Sequence, residues 1–276
     1  MKEIIINSFE DFVSKTFENS YDENIRRYRT SLVYRGLSSS KWNLQSSIQR
    51  HCGVLADNLE ENLIRNFKKY ASNEISRIQG QESEWKTLAI GQHHGLPTRL
   101  LDWTYSPLVA LHFATEDMSK MSEDAVVYML DLSITNEKLP NAIKPLIKNE
   151  NSFVFTSDML TSNFRTLKEF DKISKNDFLA FFEPPAIDSR IVNQFGLFSI
   201  TNGARVNIEG LLEQNNAIKL IIPSEKKMQL RDYLDQMNIN ERILFPGLDG
   251  LSSWLQRHYK PYQIWEEENV LRKEKE

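Results

Sequence analysis

Three stretches concentrate the side chains able to do chemistry. The longest runs Gln92-His93-His94-Gly95-Leu96-Pro97-Thr98-Arg99-Leu100-Leu101-Asp102-Trp103-Thr104-Tyr105-Ser106-Pro107 and continues through an apolar segment to Ala114. Its histidines carry imidazoles, a side chain suited to proton transfer. Arg99 presents a planar fork of donors that matches phosphate or carboxylate. Asp102 supplies a carboxylate. Plainer roles are open to the same residues: Arg99 and Asp102 as a buried structural ion pair, Trp103 as core. A shared metal ion on the two histidines is disfavoured, because adjacent helical residues project about 100° apart. No cysteine lies nearby and the H-E-x-x-H pattern is absent.

The second stretch is Tyr34-Arg35-Gly36, at the end of a short β run. An arginine there can reach an anion bidentately, with Gly36 letting ligand or backbone approach closely. A surface salt bridge beside a turn glycine is the alternative. The third is Glu183-Pro184-Pro185 followed by Arg190-Ile191-Val192-Asn193-Gln194-Phe195-Gly196-Leu197-Phe198. A rigid Pro-Pro corner would present Arg190 and Gln194 at a sheet edge. The alternative is a bulged strand in which Gln194 satisfies backbone groups.

Other chemistries lack their signatures. There is no G-x-x-x-x-G-K-[ST], G-x-G-x-x-G or G-x-S-x-G pattern. Cys52 follows His51, but sequence neighbours do not make a dyad. A nuclease would want several carboxylates around a metal, and Asp102 is the sole acid in the longest motif.

The elements that must position these residues follow from periodicity and punctuation. Glu3 to Asn7 reads as a strand, and Ser8 caps a helix with Phe9, Phe12, Val13 and Phe17 on one face. Asn19 to Arg29 reads as a loop. Asn58 to Gln79 forms an amphipathic helix, and Ser83 opens another that ends at the histidines. Gly95 and Pro97 stop that helix; Ser106 caps the next, with Pro107 at its first position. Ala125–Leu132, a near-continuous apolar run, suits a sheet centre. Phe178–Phe182, Phe195–Thr201 and Ala217–Ile222 add strands. Ser224, as N-cap, starts a helix to Met237, and Leu248 to Tyr259 is the last one. The expected fold is α+β, a small mixed β-sheet core flanked by helices, in a single domain over 1–276.

The chain has 276 residues, 40% hydrophobic and 26% charged, with a net charge of −4. This is ordinary for a globular protein, and it lacks the basic excess of most nucleic-acid binders. One cysteine fits a reducing compartment. No apolar run approaches ~18 residues and the N-terminus lacks a secretory h-region. A cytoplasmic, non-membrane protein is expected.

Taken together, Tyr34-Arg35-Gly36, the Gln92–Thr104 motif with Ser106-Pro107 and Ala110-Leu111-His112-Phe113-Ala114, and Arg190-Ile191 with Gln194, Gly196 and Phe198 resemble the FRG domain family. The resemblance covers about residues 30–200, with a C-terminal strand and helix extension over about 201–265. It implies a bacterial or phage-borne protein without assigning an activity. Arg35 in its Tyr-Arg-Gly setting is also similar to the first motif of ADP-ribosyltransferases of the Arg-Ser-Glu type. That second resemblance implies an ADP-ribosyltransferase-like fold and NAD as substrate. It implies NAD or nucleotide contacts from Tyr34, Arg35, Gly36, His93, Arg99 and Thr104, with the Thr104–Ala114 segment supporting nicotinamide. His94 or Asp102 would position the acceptor, and Gln194 or Glu183 would contact the ribose. No Ser-Thr-Ser strand is present, and a neutral Gln194 stabilises an oxocarbenium-like transition state less than a carboxylate does. The implied role is a toxin or phage-defence effector with a macromolecular acceptor and a cognate antitoxin or regulator. The rival is a non-catalytic module recognising a nucleotide, nucleic acid or protein. A motif that only locks a buried polar network is a further alternative.

Overall fold

Short apolar runs bounded by turns build one eight-stranded sheet. The computed structural model describes residues 1–18, 20–73, 83–186 and 189–261. The strands are β1 (Lys2–Ile5), β2 (Tyr21–Asp22), β3 (Arg27–Tyr28), β4 (Leu32–Leu37), β5 (Leu101–Thr104), β6 (Ala125–Asp131), β7 (Phe155–Thr156), β8 (Leu179–Glu183), β9 (Gly196–Thr201) and β10 (Ile218–Ile222). Their order in the sheet is β1-β10-β6-β4-β5-β9-β8-β7, and β2 pairs with β3 separately. The outermost pairs, β1–β10 and β7–β8, are parallel and the interior pairs antiparallel, so the sheet is mixed. The fold is therefore α+β as expected, with a larger sheet than the small one anticipated.

The sheet is not uniformly paired. Strand β4 runs alongside β6 from Leu32 to Leu37, and β5 runs along β9 for its whole length. Between β4 and β5, however, the only registered pair is Tyr34 with Thr104. The sheet thus consists of two well-bonded halves that part at its middle.

Packing follows this division. One face carries a continuous core through Val33, Trp103, Tyr128, Phe181 and Leu197, covered by Leu211 and Leu212 of helix Ile208–Gln214. The opposite face carries two separate clusters. Over β10, β6 and β4, Tyr34, Val127 and Leu220 pack on Ala110, Leu111 and Ala114 of helix Pro107–Thr115 and on Leu230 and Leu234 of helix Ser224–Gln236. Over β9 and β8, Phe198 and Phe182 pack on Trp85 and Leu88 of helix Glu84–His93. Each fully buried Phe of this kind contributes about 1.5–3 kcal/mol. The seam between the two clusters lies above the parting of β4 and β5.

Local sequence explains most element ends. Ser8 and Ser83 cap their helices through side-chain acceptors, and Ser106 caps Pro107–Thr115 with Pro107 at its start. The helix expected over Asn58–Gln79 is seen as Ala56–Tyr70, and residues 74–79 of that reading lie outside the described residues. The loop expected over Asn19–Arg29 contains the β2–β3 hairpin. Helix Ser224–Gln236 is capped by Pro223, not by Ser224, and has no side-chain cap. Among the described residues no helix is long and apolar enough to cross a membrane.

Arg99 holds the sheet to the helices. It is 5% exposed, and its Nε donates to Glu60 Oε2 at 2.7 Å. Its Nη1 donates to Asp171 Oδ1 at 2.5 Å and to the Thr201 carbonyl at 3.1 Å. Helix Ala56–Tyr70, helix Leu167–Asp171 and β9 are joined at this one guanidinium. The two carboxylates raise its pKa against the effect of burial.

Candidate functional site

A cavity of about 320 Å³ opens at the parting of β4 and β5. Its wall takes Trp103 and Leu197 from one face of the sheet and Phe198 from the other. The cavity therefore exists because the sheet is not closed by hydrogen bonds at this point. Arg35 is its central cation. The side chain is 16% exposed; its Nη1 donates to the Asp102 carbonyl and lies 3.9 Å from Asp102 Oδ2. The Arg35 Nε is buried with no hydrogen-bond partner. Burial pulls the guanidinium below its ordinary range, and Asp102 acts the other way.

Asp102 projects from β5 with its side chain 63% exposed. Gln92 Nε2 donates to its Oδ2 at 2.9 Å, while Gln92 Oε1 accepts from Thr98 Oγ1 at 2.6 Å. The Thr98 hydroxyl so fixes which end of the Gln92 amide faces Asp102. That chain of bonds links the helix end, the Gly-Leu-Pro turn and the strand of one sequence motif. His93 lines the same wall at the end of helix Glu84–His93. His94, the next residue, caps that helix, is exposed and lies outside the cavity lining.

The remaining expected residues divide. Tyr34 touches the cavity, yet its ring is buried and its hydroxyl donates to the Thr16 carbonyl at 3.3 Å. Tyr34 and Arg35 sit inside β4, not at its end. Gly36 is required by a close helix: an added Cβ would lie 1.9 Å from the Ala110 carbonyl oxygen and 2.6 Å from the Ala114 nitrogen. Its missing side chain admits that helix backbone, and the residue also lines the cavity. Thr104 donates its hydroxyl to the Gln194 carbonyl at 2.7 Å and so buttresses the wall. Gln194 lines the cavity, with its amide donating to the Leu244 carbonyl at 3.0 Å. Glu183 is turned elsewhere: it accepts from the Tyr105 hydroxyl at 2.8 Å and only its neighbour Pro184 reaches the cavity. Arg99 pairs with Glu60 and Asp171, not with Asp102, and is absent from the lining.

Two lining residues had escaped notice as site residues. Trp42 stands at the wall 42% exposed, on the loop after β4. Glu116 follows helix Pro107–Thr115 and faces the same space. Its side chain is 40% exposed, yet protein crowds the carboxyl from the cavity side. Burial pushes its pKa up to about 7, with Glu241 and Asp117 adding to the rise and Arg231 and Arg190 opposing it. The one available signal was its spacing, one helical turn after His112. Arg190 contributes a second cation to the lining, and its guanidinium stacks 4.8 Å from the Phe245 ring centroid.

Among the described residues no group of three His, Cys, Asp or Glu side chains is placed to hold a metal ion. The cavity instead combines two arginines, two carboxylates, a histidine and aromatic walls. Such a lining suits an organic anion with a planar ring: cations for phosphate, aromatics for stacking, and a carboxyl that can exchange a proton near neutral pH.

This is an α+β protein with a cavity set in a split sheet. It carries an FRG domain: residues 30–123 match that family's model. The matched segment contains β4, helix Glu84–His93, β5 and helix Pro107–Thr115, and hence Arg35, Asp102 and Glu116. Arg190, Gln194 and the C-terminal helices lie beyond it. No curated protein and no solved structure matches the chain.

Proposed function

We propose that the cavity binds NAD or a related nucleotide and acts as an ADP-ribosyltransferase site. The observation that carries this reading is a carboxyl, Glu116, lining the same cavity as the largely buried cation Arg35. Arg35, with Arg190, would hold the diphosphate. Trp42 and Phe113 would flank a planar ring. A volume of 320 Å³ is at the low end for ligand pockets. It fits the reacting nucleoside half, with the rest of the dinucleotide extending towards the mouth.

In the reaction the bond from ribose C1′ to the nicotinamide nitrogen breaks, and its electron pair neutralises the pyridinium. The ribose becomes oxocarbenium-like. An acceptor oxygen or nitrogen adds to C1′ and surrenders its proton to ionised Glu116. Glu116 replaces Gln194 and Glu183 as the carboxylate this chemistry needs. Asp102, oriented by Gln92 and facing Arg35, would position the acceptor. In this reading the chain is a toxin or phage-defence effector with a macromolecular acceptor.

The test incubates purified wild-type protein, Arg35→Ala and Glu116→Gln with NAD and cell extract. Free nicotinamide is followed by chromatography and NAD binding by calorimetry. The reading expects release by the wild type, loss of binding in Arg35→Ala, and retained binding without release in Glu116→Gln. NAD bound but never cleaved would make the protein a nucleotide-recognition module. Absence of both binding and release would remove NAD from consideration.

A further inference from the structure

We propose that His112, Arg231 and Glu241 are positioning residues for Glu116, so that helices outside the FRG segment govern the proton on the cavity's carboxyl. This deepens the preceding reading and rests on it only for the use made of that proton.

The geometry runs from the C-terminal helices inward. Arg257 of helix Leu248–His258 binds Asp235 through both Nη atoms, at 2.7 and 2.6 Å, and Glu241 at 2.9 and 2.8 Å. Glu241 in turn accepts from Arg231 Nη2. Arg231 is fully buried and places Nη1 3.0 Å from His112 Nδ1. A guanidinium has donors only, so His112 Nδ1 must be the acceptor. The imidazole is therefore neutral with its proton on Nε2. His112 is also fully buried, and this Nε2 has no hydrogen-bond partner. Glu116 Oε2 lies 3.7 Å from it. An approach of roughly 0.7 Å by that partly exposed carboxylate would complete an ordinary N–H···O bond.

The fixed tautomer makes the Nε2–H of His112 a donor, with Glu116 and the Ile239 backbone as acceptors near it. It stabilises the carboxylate when Glu116 turns inward and cannot take the proton itself. Burial and the charge of Arg231 depress the imidazole pKa to about 3, with Glu241 and the nearby Ile239 backbone opposing. Glu116 itself feels Asp117 beside it in the chain, Arg231 from helix Ser224–Gln236, Glu241 from helix Glu241–Leu244 and Arg190 from helix Ser189–Asn193. Three of these four groups lie outside residues 30–123.

The test titrates the full chain with carbon-13-labelled glutamate, Glu116 being assigned by the signal lost in Glu116→Gln. Nitrogen-15 shifts of His112 are followed in parallel. Glu116 should titrate near neutrality, and Glu241→Gln should lower its midpoint, because a neighbouring negative charge is removed. His112 should remain a neutral Nε2–H ring from pH 5 to 8, a readout that needs no variant at positions 231 or 241. Glu116 titrating with the ordinary surface carboxylates would overturn the proposal. So would a midpoint unmoved in folded Glu241→Gln, or a His112 that protonates in that range. None of these measurements involves a nucleotide, so a failure of NAD chemistry is distinguishable from a failure of this inference. Should nicotinamide release occur, its pH profile in Glu241→Gln should move in the same direction as the carboxyl titration.

Discussion

Arg35 of β4 donates to the backbone carbonyl of Asp102 on β5 where those two strands have ceased to pair. A side chain thus spans the gap that backbone hydrogen bonds leave open. The gap is what makes the cavity, and the same guanidinium is the cavity's principal cation. Removing it should have two separable effects.

Arg35→Ala should weaken nucleotide binding by at least about tenfold, or ~1.4 kcal/mol, and should also lower stability by about 1–2 kcal/mol through the lost bond to the Asp102 carbonyl. Calorimetry reads the first and urea denaturation the second. A variant that binds as the wild type does would remove Arg35 from the site, whatever its stability.

Gly36→Ala should be poorly tolerated. The new Cβ would overlap the Ala110 carbonyl, which is backbone and cannot rotate away. Helix Pro107–Thr115 would have to lift from β4, at a cost of roughly 3 kcal/mol. A melting temperature within experimental error of the wild type would show that the helix does not pack as described.

Arg99→Met should cost about 3–5 kcal/mol, because Glu60, itself 2% exposed, would keep a buried charge without its partner. Among variants that fold, the nucleotide dissociation constant should be unchanged. A binding defect in a fully stable variant would return Arg99 to the site.

The pH dependence of stability gives a test of His112 and Glu116 together. The folded His112 pKa of about 3 lies below its ordinary 6.5. The unfolded chain therefore binds the extra proton, and stability rises with pH between those values by up to about 1.4 kcal/mol per unit. The folded Glu116 pKa of about 7 lies above its ordinary 4.5. Here the folded chain holds the extra proton, and stability falls as pH rises from 4.5 to 7. The two slopes oppose one another between 4.5 and 6.5. Glu116→Gln removes only the second, so its stability relative to the wild type should climb between pH 4.5 and 7. Urea midpoints taken across that range would show the climb, and a flat difference would mean the carboxyl is not perturbed.

Much of this protein was set by local sequence. The caps at Ser8, Ser83 and Ser106, the Pro107 start and the apolar runs of β6, β8, β9 and β10 act over a few residues, and each appears close to its expected place. The family motif likewise delivered Arg35, Gln92, His93 and Asp102 to one wall, since those residues lie on a strand, a helix end and the adjoining strand of one connected unit. Tertiary structure decided the rest. Strand β5 is four residues long and follows a turn, so it carries too little periodicity to be distinguished from loop; pairing with β9 creates it. The partners of Arg99 come from 39 and 72 residues away, and no spacing rule links them. Glu116 carries no motif signal of its own in the sequence. The charges that act on it come from Arg190, Arg231 and Glu241, far along the chain, and only the assembled fold brings them near.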